Sequence, residues 1–241
     1  SYTFSPGPMT SVLKRAINNP NVLHFLVIEE INRGNAAAIF GDLFQLLDRT
    51  RDGKSVYAIS NSLIAQEIYN DPARSIKFPP NLRILATMNT SDQNVFTLDT
   101  AFQRRWSMRI VANDLESVAF GNRAVLDTSI TWKEFASAVN GLLLDAGDSL
   151  ISTEDKRLGA YFVTENELSG ADTSTARRFA EKVLKYLWDD AFKFNRGQFF
   201  HAPNDKSLED VIGDFLTAEG DERWEHIMDQ SLFTRLVLTS G

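Results

Sequence analysis

The sequence predicts an α/β protein in which a partial, doubly wound parallel sheet is followed by an all-helical bundle. Two short apolar runs, His24–Ile28 and Leu82–Met88, have the composition of strands, the first of them buried on both faces. Predicted helices alternate with strands up to about residue 112, and only helical patterns follow. Charge changes at the same place, since residues 1–112 carry 12 Lys/Arg and 9 Asp/Glu, whereas residues 113–241 carry 13 and 23. We therefore expect two domains, 1–112 and 113–241.

Apolar residues at helical spacing predict three helices in the first domain. Short β-branched runs bounded by turn residues predict three further strands, and a polar stretch would join the first two of them into a hairpin. In chain order these elements are a helix over Val12–Ile17, a helix over Asn35–Leu47, strands over Ser55–Ile59 and Arg74–Phe78, a short helix over Asp99–Arg104 and a strand over Trp106–Val111.

The second domain is predicted to be a small bundle of amphipathic helices. Its first helix has Thr131 as a plausible N-terminal cap, because a threonine oxygen can accept a hydrogen bond from the first free N–H groups. The predicted helices are Thr131–Leu144, Thr173–Ala191, Leu208–Leu216 and Asp221–Leu236.

Composition excludes several classes of protein. The chain has 241 residues, 43% of them hydrophobic, which is enough for a real core. It has no cysteine, so disulfides and thiolate metal sites are excluded, and its three histidines show no ligand spacing. No signal peptide or membrane-length apolar run is present, which predicts a soluble, cytoplasmic protein with no membrane partner. The net charge of −7, concentrated in the second domain, disfavours direct nucleic-acid binding.

Polar residues that follow two predicted strands are the candidates for chemistry. Glu29 and Glu30 come directly after the first strand, and Asn89 ends the second. In open parallel sheets ligands bind beyond the carboxyl ends of the strands, where one carboxylate can hold magnesium and another can deprotonate a water. An amide there can position the same water. Taken one at a time, each residue is equally compatible with a polar turn that ends a strand.

Arg104 and Arg105 follow the short predicted helix that begins near Asp99. An arginine at a subunit edge can stabilise charge that develops on the phosphate of a neighbouring subunit. Taken alone, an Arg-Arg pair is more often part of a solvated surface.

Three motifs occur in order along the chain, and together they resemble those of the AAA+ ATPases of McrB type. They are Glu29-Glu-Ile-Asn-Arg-Gly-Asn35, Met88-Asn-Thr-Ser-Asp92 and Leu98-Asp-Thr-Ala-Phe-Gln-Arg-Arg-Trp106. In that group the first motif is typically Asp-Glu-Ile-Asn-Arg, the second Met-Asn-Thr-Ala-Asp, and a run ending in Arg-Arg-Phe follows. The resemblance covers residues 23–112 well. Over residues 113–241 it fades, and only Arg157-Leu-Gly-Ala-Tyr-Phe162 is similar to a family segment.

The resemblance implies a role for each matching residue. Glu30 would be the catalytic carboxylate at the end of the Walker B strand and Glu29 the magnesium-facing one. Asn89 would be the first sensor. Asp99 would orient the segment that bears the arginine finger. Either Arg104 or Arg105 would be that finger. Arg157 would be a second sensor that binds nucleotide from a helical lid. The strand pair within 55–78 would be the hairpin that precedes the sensor strand.

The sequence departs from the family pattern in two ways. The magnesium-facing position is Glu29 where the family has aspartate, and no G-x-x-x-x-G-K-[ST] phosphate loop is present. Without that loop the resemblance implies a truncated AAA+ core, residues 1–112, followed by a lid, residues 113–241. We expect such a chain to be inactive alone. A central strand of its sheet would be missing, which would leave unpaired strand edges.

The resemblance implies a complete protein that hydrolyses ATP or GTP with Mg²⁺ as a homo-oligomeric ring. That ring would drive a partner nuclease similar to McrC, with DNA contacted through a separate domain or through the partner. Two alternatives remain at this point. A protein-remodelling ATPase of MoxR type has similar motifs. A nucleotide-free scaffold subunit derived from AAA+ proteins would lend Arg104 or Arg105 to a competent neighbour.

Overall fold

A two-stranded parallel sheet organises the first half of the chain. Strand β1, His24–Ile28, pairs in parallel with strand β2, Leu82–Ala86, so that His24 lies opposite Leu82 and Ile28 opposite Ala86. Both strands were predicted from their apolar runs, and both are confirmed. One face packs against a core to which helix α1, Pro8–Asn18, contributes.

The prediction that β1 is buried on both faces is wrong. Exposure alternates along the strand, and the side chains of Phe25 and Val27 are 52% and 58% exposed. Leu85 on β2 lies on the same open face and is also exposed. Since successive side chains of a strand point to opposite faces, the second face of the sheet is uncovered by the part of the chain that the structure describes.

The computed structural model describes residues 4–89, 95–145, 154–170 and 172–239. The chain divides into two units, Ser1–Ile110 and Val111–Gly241, each with its own core. No helix of the described ranges is both long enough and apolar enough to cross a membrane.

The predicted amphipathic helix over Asn35–Leu47 is divided in two. Helix α2, Ala36–Phe40, begins at Asn35, whose side-chain oxygen accepts a hydrogen bond from the Ala38 N–H at 3.1 Å. Gly41 then takes φ +50°, a left-handed value that stops the α-helix, and the chain continues as a 3₁₀ helix over Gly41–Leu47.

The predicted hairpin before β2 needs correction at its connection. Ile59 and Ile76 exchange two backbone hydrogen bonds of 3.1 and 2.9 Å, so the two predicted arms face each other in antiparallel sense at that pair. The residues between them form helix α3, Ser62–Tyr69, where the sequence analysis predicted a polar stretch. The helix is capped by the Asn61 side chain, which accepts a hydrogen bond from the Ile64 N–H. Asn61, which belongs to the predicted polar stretch, is therefore a helix cap.

The predicted third strand over Trp106–Val111 is wrong for the residues described. The segment follows helix α4, Thr100–Gln103, without joining a sheet. Ile110 and Val111 are 95% and 91% exposed. A β-branched run forms a strand only where another strand supplies hydrogen-bond partners, and the described part of the chain places none beside this segment.

The second unit is helical throughout its described elements, apart from isolated bridging pairs. The predicted cap at Thr131 is confirmed, because its hydroxyl accepts a hydrogen bond from the Glu134 N–H at 3.3 Å. The predicted helix over Thr173–Ala191 begins as an α-helix and continues as π-helical turns, and the one over Asp221–Leu236 is split in two. The helices are α5 Trp132–Asp145, α6 Glu165–Leu168, α7 Thr173–Phe179, α8 Leu208–Thr217, α9 Glu222–Glu225 and α10 Gln230–Thr239.

An aromatic cluster fills the centre of the second unit. Phe135 on α5 is fully buried and stacks on Trp224 of α9, with ring centroids 4.7 Å apart. Phe179 of α7 packs edge-on against both rings. Large rings from three helices therefore share one core, and they hold α5, α7 and α9 together.

An ion pair between a buried arginine and a partly exposed aspartate also stabilises the second unit. Arg223 is buried, and its Nε donates a hydrogen bond to Asp127 Oδ1 at 2.6 Å while its Nη1 donates to the Phe215 carbonyl oxygen at 2.7 Å. Burial alone would raise the pKa of Asp127. Hydrogen bonds from Arg223 and from the Gly220 N–H outweigh that effect, so this pKa lies below its ordinary value.

Candidate functional site

The carboxyl ends of β1 and β2 lie side by side, with Ile28 opposite Ala86. Pairing continues past the strands, because the Thr87 N–H donates to the Ile28 carbonyl oxygen and the Ile31 N–H donates to the Thr87 carbonyl oxygen, both at 2.9 Å. Parallel strands present their carboxyl ends at one edge of a sheet, so the segments that follow both strands leave from the same place.

Glu30 occupies an unusual backbone conformation at this edge. Its φ of 49° and ψ of 52° are left-handed, which costs a residue with a side chain about 1 kcal/mol. Two contacts hold it there: its N–H donates to Thr87 Oγ1 at 3.1 Å, and its carboxylate Oε2 accepts from Arg33 Nε at 2.6 Å. The side chain of Glu30 is exposed, and so is that of the preceding Glu29.

Asn32 connects the two strand ends. Its side chain is buried, and its Nδ2 donates a hydrogen bond to the Asn89 carbonyl oxygen at 2.6 Å. Its own backbone carbonyl oxygen accepts from the Phe96 N–H at 2.8 Å. One residue therefore joins the turn after β1 to both sides of segment 90–94. The predicted motif residues Thr90, Ser91 and Asp92 belong to that segment and lie outside the described residues.

Asn32 and Thr87 were not singled out from the sequence. Their positions in the sequence could have indicated them, because Asn32 lies inside the first motif and Thr87 directly precedes the second. Carboxylate and amide side chains at strand ends indicate contacts with a phosphate or a water. Side chains that hold two turns together give no such indication, because the backbone partners of Asn32 and Thr87 are visible only in the fold.

Asp99 lies at the start of the helix before the two candidate arginines. Its Oδ1 accepts a hydrogen bond from the Phe102 N–H at 2.6 Å, which makes Asp99 the N-terminal cap of α4. Arg104 follows the helix directly, and its exposed side chain makes no hydrogen bond or ion pair with the described residues.

Arg105 differs sharply from its neighbour. Its Nη2 lies 2.8 Å from Asp48 Oδ2, its Nη1 donates to the Ala101 carbonyl oxygen at 2.6 Å, and its guanidinium carbon lies 4.1 Å from the centre of the Phe44 ring. The side chain is only 9% exposed. These contacts hold the end of α4 against the 3₁₀ helix of residues 41–47, so Arg105 is committed within its own subunit.

Arg157, the candidate second sensor, belongs to the second unit. The residue after it, Leu158, is held by two buried or half-buried amides: Asn140 Nδ2 and Asn113 Nδ2 both donate to the Leu158 carbonyl oxygen, at 3.0 and 2.7 Å. The Leu158 N–H donates to Asn140 Oδ1 at 2.7 Å, and the Ala160 N–H donates to Asn113 Oδ1 at 2.8 Å. The backbone beside Arg157 is therefore firmly held.

The chemistry of Glu29 and Glu30 suits a magnesium ion bound together with phosphates. Mg²⁺ in phosphate-handling sites is usually held by one or two carboxylates, with water and phosphate oxygens as the remaining ligands. Two adjacent exposed carboxylates at a strand end fit that donor set. No group of three or more metal-ligating side chains is found among the described residues.

Comparison with known proteins agrees with this geometry. The family model for the AAA domain (dynein-related subfamily) matches residues 8–106, which include both strands and the segments that follow them. An α/β unit with a parallel strand pair fits that family. Component YdiS of the type II restriction enzyme BsuMI, from Bacillus subtilis (strain 168), is 39% identical over 206 residues, which are 80% of this chain and 56% of that protein.

A second relative is the subunit of the type IV methyl-directed restriction enzyme EcoKMcrB from Escherichia coli (strain K12). It is 29% identical over 116 residues, which are 48% of this chain and 24% of that protein. The chain thus spans about half the length of the first relative and about a quarter of the second. Taken with the three motifs and the paired strand ends, these matches show an AAA domain over residues 8–106 in a chain that is similar to the McrB-type AAA+ ATPases.

Proposed function

We propose that this chain is the nucleoside-triphosphate-hydrolysing module of a restriction system of McrB type. The observation that carries the proposal is the shared sheet edge, where Glu30 and Asn89 follow adjacent parallel strands and Asn32 links them. The relatives support the biological setting, since both are named as parts of restriction enzymes. The two carboxylates and the amide are groups that can bind magnesium, accept a proton from an attacking water and orient that water.

In this proposal Glu30 accepts the proton of the water that attacks the γ-phosphate of ATP or GTP, and Asn89 orients that water. Glu29 would hold the magnesium ion. Mg²⁺, when bound with nucleotide, neutralises phosphate charge. The ion pair between Glu30 and Arg33 joins two exposed side chains and contributes little free energy, so Glu30 can exchange it for a water at small cost.

We assign the arginine finger to Arg104 and a positioning role to Arg105. A finger acts on a phosphate bound by a neighbouring subunit, so it must be exposed and uncommitted within its own fold. Arg104 meets that requirement among the described residues, whereas Arg105 is tied to Asp48 and Ala101. Asp99 caps the helix that carries both arginines. This assignment implies a homo-oligomeric ring, with a nuclease subunit as its partner and DNA bound elsewhere in the complex.

The test uses the product of the complete reading frame, purified as Glu30→Gln and Arg104→Ala variants. Loss of a general base lowers kcat by about a hundredfold or more, and we expect that decrease for Glu30→Gln. Loss of an arginine finger should lower kcat at least as much in Arg104→Ala. An equimolar mixture should regain part of the activity, because Arg104 of a Glu30→Gln subunit can serve an intact Glu30 next to it. Arg51→Gln removes another exposed arginine and should keep full activity.

Two results would contradict the assignment of Glu30 as the base and Arg104 as the finger. One is a normal hydrolysis rate in Glu30→Gln. The other is an Arg104→Ala variant with full activity beside an Arg105→Ala variant that folds and is inactive, which would reverse the roles of the arginines.

A nucleotide-free subunit is the second candidate, favoured by the exposed side chain of Arg104. Such a subunit would contribute only its arginine to a competent neighbour. Equilibrium dialysis of the complete product with ATP and GTP separates the candidates: binding favours the hydrolase, and no binding favours the arginine donor. A partner that is a protein-remodelling factor rather than a nuclease would favour the MoxR alternative.

A further inference from the structure

A cavity of about 210 Å³ lies at the opposite end of β2 from the candidate hydrolysis site. It is lined by the start of the strand, Leu82–Ile84, by Arg49 and Gly53 from the preceding loops, and by residues 105–107 after α4. Asn89 follows the other end of the same strand. The cavity is therefore separate from the edge at which Glu29 and Glu30 lie.

Three of the residues that line this cavity are arginines, and only one of them has a carboxylate partner. Arg105 is paired with Asp48 at 2.8 Å. Arg49 donates to the carbonyl oxygens of Gly53 and Pro79, at 2.6 and 3.3 Å, and contacts no carboxylate of the described residues. Two of the three positive charges in the wall are thus uncompensated there.

The surroundings of Arg49 show the effect of that excess charge. Burial, and after it the positive charge of Arg83, lower the pKa of Arg49 to about 10. The guanidinium stays protonated at neutral pH, but its charged form is disfavoured where it lies. A bound anion would oppose the second cause, because it supplies a counter-charge to the two guanidinium groups.

The other polar side chains of the wall can donate as well. Arg83 is exposed, and its Nη1 donates to the Pro80 carbonyl oxygen at 3.0 Å without a carboxylate among the described residues. The indole N–H of Trp106 is buried and has no acceptor in the part of the chain that the structure describes. Ser107 adds an exposed hydroxyl. A wall whose polar side chains can all donate is chemically complementary to an oxyanion.

We propose that this cavity binds a phosphate group, held by Arg83 and Arg49. The planar guanidinium fork matches phosphate geometry and can donate two parallel hydrogen bonds. The volume is that of several water molecules, and it is smaller than the roughly 300–1,000 Å³ of pockets that enclose whole drug-sized ligands. The site thus accommodates one phosphate, either as the free ion or as part of a nucleic-acid backbone whose remainder lies outside.

Isothermal titration calorimetry on the 241-residue chain tests the proposal with two probes, inorganic phosphate and a 12-nucleotide single-stranded DNA, at constant ionic strength. We expect saturable binding that Arg83→Gln weakens at least tenfold. Arg83 is exposed, so this variant should fold, and circular dichroism checks that it does. Arg51→Gln removes an exposed charge from the adjoining loop without touching the cavity and should bind as the original chain does.

Each result bears on the proposal. If the chain binds DNA more tightly than phosphate, and Arg83→Gln loses that binding, the site is supported and the bound phosphate group belongs to a nucleic-acid backbone. Binding of phosphate alone, lost in the same variant, supports the site with a free ion or a small phosphate ester. The absence of binding by both probes would overturn the proposal, and so would equal affinity in Arg83→Gln and Arg51→Gln. The outcome is independent of hydrolysis, since the cavity shares no residue with the Glu29–Glu30 edge.

Discussion

The two units of the chain manage their apolar residues in opposite ways. The second unit encloses an aromatic cluster in which Phe135 and Trp224 are fully buried. The first unit leaves one face of its sheet open, with Phe25 and Val27 more than half exposed. Full burial of one such side chain stabilises a protein by about 1.5–3 kcal/mol. The open face therefore lacks several kcal/mol of stabilisation that burial of Phe25 and Val27 would give. The difference is that the second unit covers the rings at its centre, whereas the sheet of the first unit has one face that the described residues do not cover.

The largest expected effect is in the aromatic cluster. Phe135→Ala removes a ring that stacks on Trp224, and we expect a loss of about 3–5 kcal/mol in the unfolding free energy of the second unit. Hydrogen-exchange mass spectrometry reports the two units separately. Leu144→Ala lies on the same helix at a position that is 53% exposed, and it should cost less than about 0.5 kcal/mol. Equal losses in the two variants would show that the cluster does not hold the unit together.

The ion pair between buried Arg223 and Asp127 gives the next largest effect and a dependence on pH. Asp127→Asn leaves Arg223 buried beside a weaker acceptor, and we expect a loss of about 2–3 kcal/mol at pH 7. The pKa of Asp127 is lowered in the folded state, so its contribution is complete above the unfolded pKa of about 4 and disappears as pH falls through the lower folded value.

Thermal denaturation of the original chain and of Asp127→Asn between pH 7 and pH 2 measures this contribution. Their difference in stability should be constant down to about pH 4 and should shrink below it. A difference that grew on acidification would contradict the assignment of the charged pair.

In the first unit, the hydrogen bond by which Asn32 links the two strand ends is expected to contribute less to stability. Asn32→Ala removes the hydrogen bond to the Asn89 carbonyl oxygen, and we expect a loss of about 1–2 kcal/mol that is confined to the first unit. Hydrogen exchange should increase most around residues 87–89. Gln45→Ala, at an exposed position of the same unit, is the matched control. An unchanged exchange rate at 87–89 would mean that Asn32 does not hold the two strand ends.

The smallest effect is expected on the open sheet face. Val27→Thr keeps the shape and the strand preference of the side chain, so the stability of the isolated chain should change by less than about 0.5 kcal/mol. Binding of a hydrophobic dye should fall, because the exposed apolar patch becomes smaller. A loss above 1.5 kcal/mol would show that this face is already covered and would remove the contrast between the two units.

Local patterns predicted the elements that depend on local interactions. The strand over His24–Ile28, the helix after Asp99 and the helix after Thr131 were all predicted close to their observed positions, because composition and capping residues determine them. The candidate hydrolysis residues Glu29, Glu30 and Asn89 also came from the sequence, since a carboxylate or an amide at a strand end can be read directly.

What sequence reasoning missed depends on partners distant along the chain. The run Trp106–Val111 has strand composition, but composition cannot show whether a second strand lies beside it. The burial of β1 was overestimated for the same reason, because an apolar side chain is buried only if another element covers it. The difference between Arg104 and Arg105 depends on Asp48, which lies 57 positions before Arg105 and was not considered from the sequence.

The two asparagines that hold Leu158 anchor the backbone beside Arg157 to the helical unit. Asn113 and Asn140 satisfy the backbone groups of Leu158 with their side-chain amides, and Asn113 also accepts a hydrogen bond from the Ala160 N–H. A displacement of the backbone at Leu158 would therefore have to break these hydrogen bonds. The region that the Arg157 guanidinium can reach then depends mainly on rotation about its own side-chain bonds.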